Sequence, residues 1–265
     1  MTWEVAVVGC GAFVPGFAGL SGWVRGEPSP DHLTARAEIV PKRQRRRASS
    51  LSKAVADAYA DALGESKFDA ASVASVFGSA IGEATTMVGL LDQMWGDAAM
   101  LSPMRFATSV HNAASGMLSI ATDNRGITTA MGADYDTPAM ALLEGIGLVL
   151  ARGESVIVCC GDEAPPEDLV ADGVGWSLMT AAIALCPSSD APASCPRLSE
   201  LMIAPGEHLS SQPGISENQL EEMGRNPSIG LLDLVVAIRE GTRGVRALDR
   251  GAGRGYSVRL HGVAE

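Results

Sequence analysis

The groups that could do chemistry crowd most closely in Ser109-Val110-His111-Asn112-Ala113-Ala114-Ser115-Gly116, where an imidazole, an amide and two hydroxyls fall within eight residues. Small residues at 113–116 let backbone approach backbone, as a sharp strand-to-helix elbow requires. An extended segment over 106–110 is expected to run into this turn. A mostly buried helix is expected to follow it through Met117, Leu118 and Ile120. The free N–H groups at the start of such a helix stabilise negative charge. Many nucleophiles sit at that place, but the residue there is Ala113, which has none. Ser115 stands in Ala-Ala-Ser-Gly-Met, which does not match the Gly-x-Ser-x-Gly elbow of hydrolases. His111 reads either as a hydrogen-bonded structural residue or, with Asn112 and the helix N–H groups, as part of an oxyanion-stabilising set.

Other candidates are weaker. The five cysteines, Cys10, Cys159, Cys160, Cys186 and Cys195, fit no zinc spacing. The adjacent pair Cys159-Cys160 lies in an apolar run and reads as buried and reduced, which points to the cytosol. There is no His-x-x-x-His and no grouped His/Cys/Asp set, so no metal is expected. Gly9-Cys10-Gly11 follows an apolar run at 5–8 and reads as a strand ending in a turn. Val14 and Pro15 stand where a dinucleotide fingerprint needs glycine and an open helix, and no cofactor is expected. Asp162-Glu163 in a Pro-rich loop reads as a solvated pair with no partner by spacing.

Lys42, Arg43, Arg45, Arg46 and Arg47 place five basic residues among six in a chain of formal charge −11. They read as a solvated segment before a helix, or as a docking site for an acidic partner. The acidic balance argues against general nucleic-acid binding. With no apolar run of membrane-spanning length, no membrane span is expected. The first residues enter a strand pattern without a basic leader, so no signal peptide is expected.

The elements that must position these groups alternate. A strand is expected at 5–8, then loop over 16–41. A helix capped by Ser49 or Ser50 carries Leu51, Val55, Ala58, Tyr59 and Ala62 and closes at Gly64. A strand follows at 73–80. A helix starting at Thr85 or Thr86 bears Met87, Leu90, Leu91, Met94 and Trp95, a stripe that reads as core or subunit interface. A helix from Asp136 or Thr137 ends at Gly153, before strands at 155–160 and 177–185. Beyond Pro187 come a strand at 198–203, a polar and mobile stretch at 205–227, an amphipathic helix at 229–239, a turn at 251–255 and a strand at 256–261. The pattern is α/β, with helices on both faces of a mixed sheet.

Asn112-Ala113-Ala114-Ser115-Gly116 resembles the Ala-Cys-x-Ser-Gly active-site turn of the β-ketoacyl synthases of the thiolase superfamily, with Ala113 where that family has cysteine. Ser-Val-His-Asn-Ala is similar to the wording of the small synthase-like proteins called chain length factors. The N-terminal strand-Gly-x-Gly-x-x-x-Pro resembles the first strand of a ketosynthase. The resemblance covers residues 3–187 and implies a thiolase-like layered α/β/α fold, one half of a ketosynthase. It places a domain at 1–187, with 188–265 as an extension packing on the same domain. A condensing synthase of this family uses a thiolate and two histidines. Here the cysteine is absent, and His261-Gly262 is followed by Val263-Ala264 rather than the family's threonine and glycine.

The resemblance therefore implies a non-condensing, chain length factor-like subunit of a type II fatty-acid or polyketide-type synthase. It would partner a complete ketosynthase, or itself, and shape the acyl site. The alternative is a stand-alone acyl-carrier-dependent decarboxylase or acyltransferase using the Ala113 elbow, since decarboxylation needs mainly enolate stabilisation. The same resemblance assigns carrier-protein docking to Lys42, Arg43, Arg45, Arg46 and Arg47. It assigns the dimer interface to Ala107, Thr108 and Ser109.

Overall fold

A computed structural model describes residues 3–96, 101–170 and 175–262. In chain order its elements are β1 (Val5–Phe13), α1 (Gly19–Val24), α2 (Lys42–Arg45), α3 (Ser50–Ser66), β2 (Ala74–Gly78), α4 (Ala84–Trp95), α5 (Pro103–Ala107) and α6 (Ala113–Ala121). There follow β3 (Thr128–Met131), α7 (Thr137–Arg152), β4 (Val156–Asp162), β5 (Met179–Pro187), β6 (Arg197–Ile203), α8 (Glu217–Gly224), α9 (Ile229–Arg239), β7 (Gly244–Ala247) and β8 (Tyr256–His261).

All eight strands join one open sheet in the order β3-β2-β4-β5-β1-β6-β8-β7. β2 is parallel to both β3 and β4, and the remaining pairings are antiparallel. Strands β4 and β5 are buried almost end to end, so they read as continuous apolar runs rather than alternations. Helix α3 lies on one face against β1, β5 and β4, with α6 beside it; α7 and α9 cover the other face. The fold is thus a helix–sheet–helix sandwich, as expected. Among the described residues no helix is long and apolar enough to cross a membrane.

Local sequence explains most boundaries. Ser49 caps α3 by accepting the Ser52 N–H. The helix does not close at Gly64 but runs to Ser66, where Lys67 turns left-handed with φ 57°. Pro138 stands in the first turn of α7 and Gly153, with φ 67°, ends it. Gly9-Cys10-Gly11 is not a turn. β1 continues through it to Phe13, and α3 lies so close that a Cβ on Gly11 would sit 2.1 Å from the Ala58 carbonyl oxygen.

Other expectations change as well. Residues 106–110 are not a strand, because Pro103 opens α5 and Ser102 accepts the Arg105 N–H. The stretch 205–227 contains α8, opened by a Ser216–Gln219 capping box. Helix α9 is buried all round from Ile229 to Ala237 rather than amphipathic. It admits Asp233 because Arg250 pairs with both carboxylate oxygens at 2.6 Å. Of the α4 stripe only Leu90 is buried; Met87, Met94 and Trp95 are exposed, Trp95 to 80%.

Candidate functional site

Ala113 is the first residue of α6, and Asn112 precedes it without a side-chain cap. The approach is a helix and a turn, not a strand. Ser115 is buried, and its hydroxyl donates to the Asn112 carbonyl at 2.9 Å, so it is committed to its own helix. The His111 ring reaches away from α6. Its Nε2 lies 2.8 Å from the Ser79 carbonyl oxygen, which can only accept, so Nε2 carries the proton. The ring fits between two glycines: a Cβ on Gly82 would come within 2.9 Å of its Cδ2, and one on Gly132 within 3.2 Å of its Nε2.

The strand–turn–helix elbow sought at 106–121 occurs at β3 and α7 instead. Met131 ends the strand, Asp134 adopts φ 52°, and the Thr137 hydroxyl donates to the Asp134 carbonyl at 2.6 Å while accepting the Ala133 N–H at 2.9 Å. Asp136 stands at the start of α7. It accepts the Arg254 N–H at 2.8 Å and lies 3.4 Å from that guanidinium. No thiol stands at the start of α6 or of α7. All five cysteines are free; four are buried and Cys195 is partly so.

The parallel strands β2 and β4 deliver a polar cluster to their shared C-terminal edge. Asp162 is not solvated; it is wholly buried. Its Oδ1 accepts the Ser79 hydroxyl at 2.7 Å and the N–H groups of Ala80 and Ile81 at 2.8 and 3.1 Å, and its Oδ2 accepts the Ser228 hydroxyl at 2.6 Å. Burial pushes this carboxyl above its usual range, against the pull of those four donors. Glu163 is also buried and accepts the Thr85 N–H at 2.8 Å. Glu83 accepts the hydroxyls of Ser49 and Ser52 at 2.8 and 2.6 Å on one oxygen, while its other oxygen has no partner among the described residues. Burial raises the pKa of both glutamates. No spacing signal marks this cluster in the sequence, because the side-chain partners of Asp162 lie more than sixty residues away.

Beside α6 a cavity of about 530 Å³ opens toward α2. It brings together some of the expected residues: Arg43 and Arg47 on one side, Ala107, Thr108, Asn112, Ala113 and Gly116 on the other. Lys42, Arg45, Arg46, Ser109, His111 and Ser115 do not line it. A second cavity, about 610 Å³, lies over α3, where Asp57, Asp61 and Glu65 share one face and Arg239 pairs with Glu65. The cavity walls desolvate the Asp61 carboxyl in part, although the residue stays exposed, and Asp57 and Glu65 repel its charge. Its pKa is pushed up to about 6 although Arg239 opposes the shift. Among the described residues no group of three His, Cys, Asp or Glu could hold a metal ion.

A single open mixed sheet between two helical layers, with parallel strand ends feeding buried helices, defines a layered α/β chain of the thiolase type. The chain belongs to the family described as beta-ketoacyl synthase, N-terminal domain, whose profile matches residues 21–220. No curated protein matches it in sequence. Among solved structures it is similar to a chain of the ketosynthase (ApeO) in complex with its chain length factor (ApeC) from Xenorhabdus doucetiae, at 16% identity over 97% of this chain and 99% of that one, with a TM-score of 0.67. It is also similar to a chain of AntDE:AntF, a type II acyl-carrier protein in complex with its ketosynthase, at 13% identity over 98% and 99% of the two chains, with a TM-score of 0.65. It covers 46% of the ketosynthase from module 1 of the bacillaene synthase from Bacillus amyloliquefaciens FZB42, using 77% of its own length at 12% identity and a TM-score of 0.54. At these identities the likeness is one of fold.

Proposed function

We propose that this chain is a non-condensing, chain length factor-like subunit of a type II fatty-acid or polyketide-type synthase, pairing with a complete ketosynthase and helping to shape its acyl site. The observation that carries the reading is a ketosynthase-family fold with no thiol at either helix start: Ala113 opens α6 and Asp136 stands at the start of α7. A thiolate is what takes up the acyl chain in covalent condensation. The four buried cysteines do not supply one, since burial pushes Cys10 up to about 12 and Cys186 up to about 11 and raises Cys159 and Cys160 as well.

Solved relatives of matching extent, described as a ketosynthase with its chain length factor and as a ketosynthase with a carrier protein, support the choice of partners. So do exposed apolar residues on the two helices that touch β3: Ile120 on α6, and Leu143 and Leu150 on α7. In this reading Ala107, Thr108 and Ser109, at and just after the end of α5, belong to the subunit interface. Lys42, Arg43, Arg45, Arg46 and Arg47 dock an acidic carrier protein in the cytosol. Residues 1–187 form the synthase-like domain, with 188–265 as an extension that completes its sheet.

The test is to assay the purified chain, alone and with a complete ketosynthase, on malonyl-carrier protein. Condensation only in the pair, with no carbon dioxide released by the chain alone, is the expected result. Carbon dioxide release by the chain alone, abolished by His111→Ala, would replace this reading with the decarboxylase.

A further inference from the structure

The basic run is two sets of residues, not one. Arg43 in α2 and Arg47 in the turn after it line the cavity beside α6, whereas Lys42, Arg45 and Arg46 do not. The side chains of Arg43 and Arg47 have no hydrogen bond or ion pair among the described residues. Gln44, between them on the same wall, keeps its Oε1 buried with no partner. Such an acceptor is costly to leave unmet.

Across the cavity α6 presents Ala113, Gly116, Met117 and Ile120, one helix face at i, i+3, i+4 and i+7. Its other face, Ala114, Ser115 and Leu118, is buried. A Cβ on Gly116 would meet nothing within 4 Å, so this wall opens into free space. Two unpaired guanidinium groups and an apolar trough thus face one volume of about 530 Å³, a usual size for a small-molecule site.

We infer that this cavity binds a small anionic amphiphile. Arg43 and Arg47 hold a carboxylate or phosphate head, and a short apolar tail lies along Met117 and Ile120. Guanidinium donors take either head group through paired N–H···O bonds. The inference does not rest on carrier docking, because it concerns a free small molecule and uses the two arginines that face the cavity.

Calorimetric titration of the full chain with N-octanoylglycine, octyl phosphate, octanol and inorganic phosphate tests it. At least one of the two charged amphiphiles should bind, and which one binds tighter identifies the head group. Octanol and inorganic phosphate should each bind about tenfold or more weakly, the loss expected when charge-assisted hydrogen bonds or tail burial are removed. Arg43→Gln with Arg47→Gln should weaken the amphiphile by about tenfold or more. Gly116→Leu, whose Cβ would meet nothing within 4 Å, narrows the cavity and should weaken binding about tenfold or more. If that variant does not fold, the double arginine variant, on exposed side chains, still decides. The inference is overturned if octanol binds as tightly as the charged probes, if neither charged probe binds, or if the double arginine variant or a folded Gly116→Leu binds like the parent chain.

Discussion

Asp162 is the residue on which the C-terminal edge of the parallel strands depends. Four neutral donors from the 79–81 loop and Ser228, just ahead of α9, converge on its carboxyl, and no solvent reaches it. Asp162→Ala leaves all four donors without a partner, and each buried donor left unmet costs about 1–3 kcal/mol before relaxation. We expect a loss of about 3 kcal/mol or more in urea unfolding, with Asp162→Asn losing about half as much because one oxygen remains. A loss below about 1 kcal/mol for the alanine variant would show that the cluster is not a structural hub.

Asp61 gives the opposite case. Its folded pKa of about 6 lies above the ordinary carboxyl value of 3.8. The folded state therefore binds more protons than the unfolded chain between roughly pH 4 and 6, and stability falls as pH rises through that window. Asp61→Asn should raise the melting temperature at pH 7 and flatten its decline from pH 4 to 6. Because Asp61 keeps much of its surface in solvent, we expect a gain of about 0.5–1 kcal/mol. Neither role was legible in the sequence. Asp-Glu-Ala-Pro-Pro has the composition of a solvated loop, and only the extension of β4 two residues past its apolar run carries Asp162 into the core.

At the scale of elements, the packing of β1 on α3 depends on missing side chains. The Cβ of Gly11→Ala would press on the Ala58 carbonyl and the α3 backbone, neither of which can turn aside. Overpacking of this kind costs about 1–3 kcal/mol. Gly64→Ala, inside α3 with nothing within 4 Å of its Cβ, should instead stabilise by about 0.5–1 kcal/mol through helix propensity. Equal effects from the two substitutions in thermal melts would remove the close approach as the reason for glycine at position 11. Helix α9 and strand β8 are legible to the residue, because a long apolar run or an alternating one meets clear start and stop signals. The start of α6 is legible from its small residues at 113–116, although Asn112 gives it no side-chain cap. The expected strand at 106–110 fails because Ser102 and Pro103 form a helix start that local apolar residues do not override. Strand β3 was missed because Thr128–Met131 is four residues long and small in composition, and pairing with β2 supplies its stability. The strand–turn–helix elbow therefore lies one helix later than the small residues at 113–116 suggest.

For the whole molecule the two edges of the sheet are unlike. β7 is covered, since Glu207 donates its N–H to the Val245 carbonyl at 2.9 Å and its carbonyl accepts the Ala247 N–H at 2.9 Å. β3 has no such cover among the described residues. The carbonyls of Ile127 and Met131 accept from Ser75 and Ser79 of the β2 side, so by the two-residue period of a strand the N–H and C=O groups of Thr128 and Ala130 point outward. An uncovered row of strand donors and acceptors is a template for another chain. Here it is flanked by helices that expose Ile120 to 71% and Leu143 to 50%, apolar surface of the kind that marks an interface. We expect the chain to form a homodimer through this edge when alone and a heterodimer when a complete ketosynthase is supplied. Ala130→Pro removes one outward N–H while leaving the bonds to β2 in place, and proline is tolerated on an edge strand. Each outward hydrogen bond is worth about 0.5–1.5 kcal/mol net, and the two-fold counterpart is lost with it, so the dimer should weaken about tenfold or more. Sedimentation velocity over a concentration series would read this directly, with circular dichroism confirming that the variant is folded. A parent chain that stays monomeric with and without the synthase, or an Ala130→Pro dimer as tight as the parent, would show that β3 is not the edge on which partners assemble.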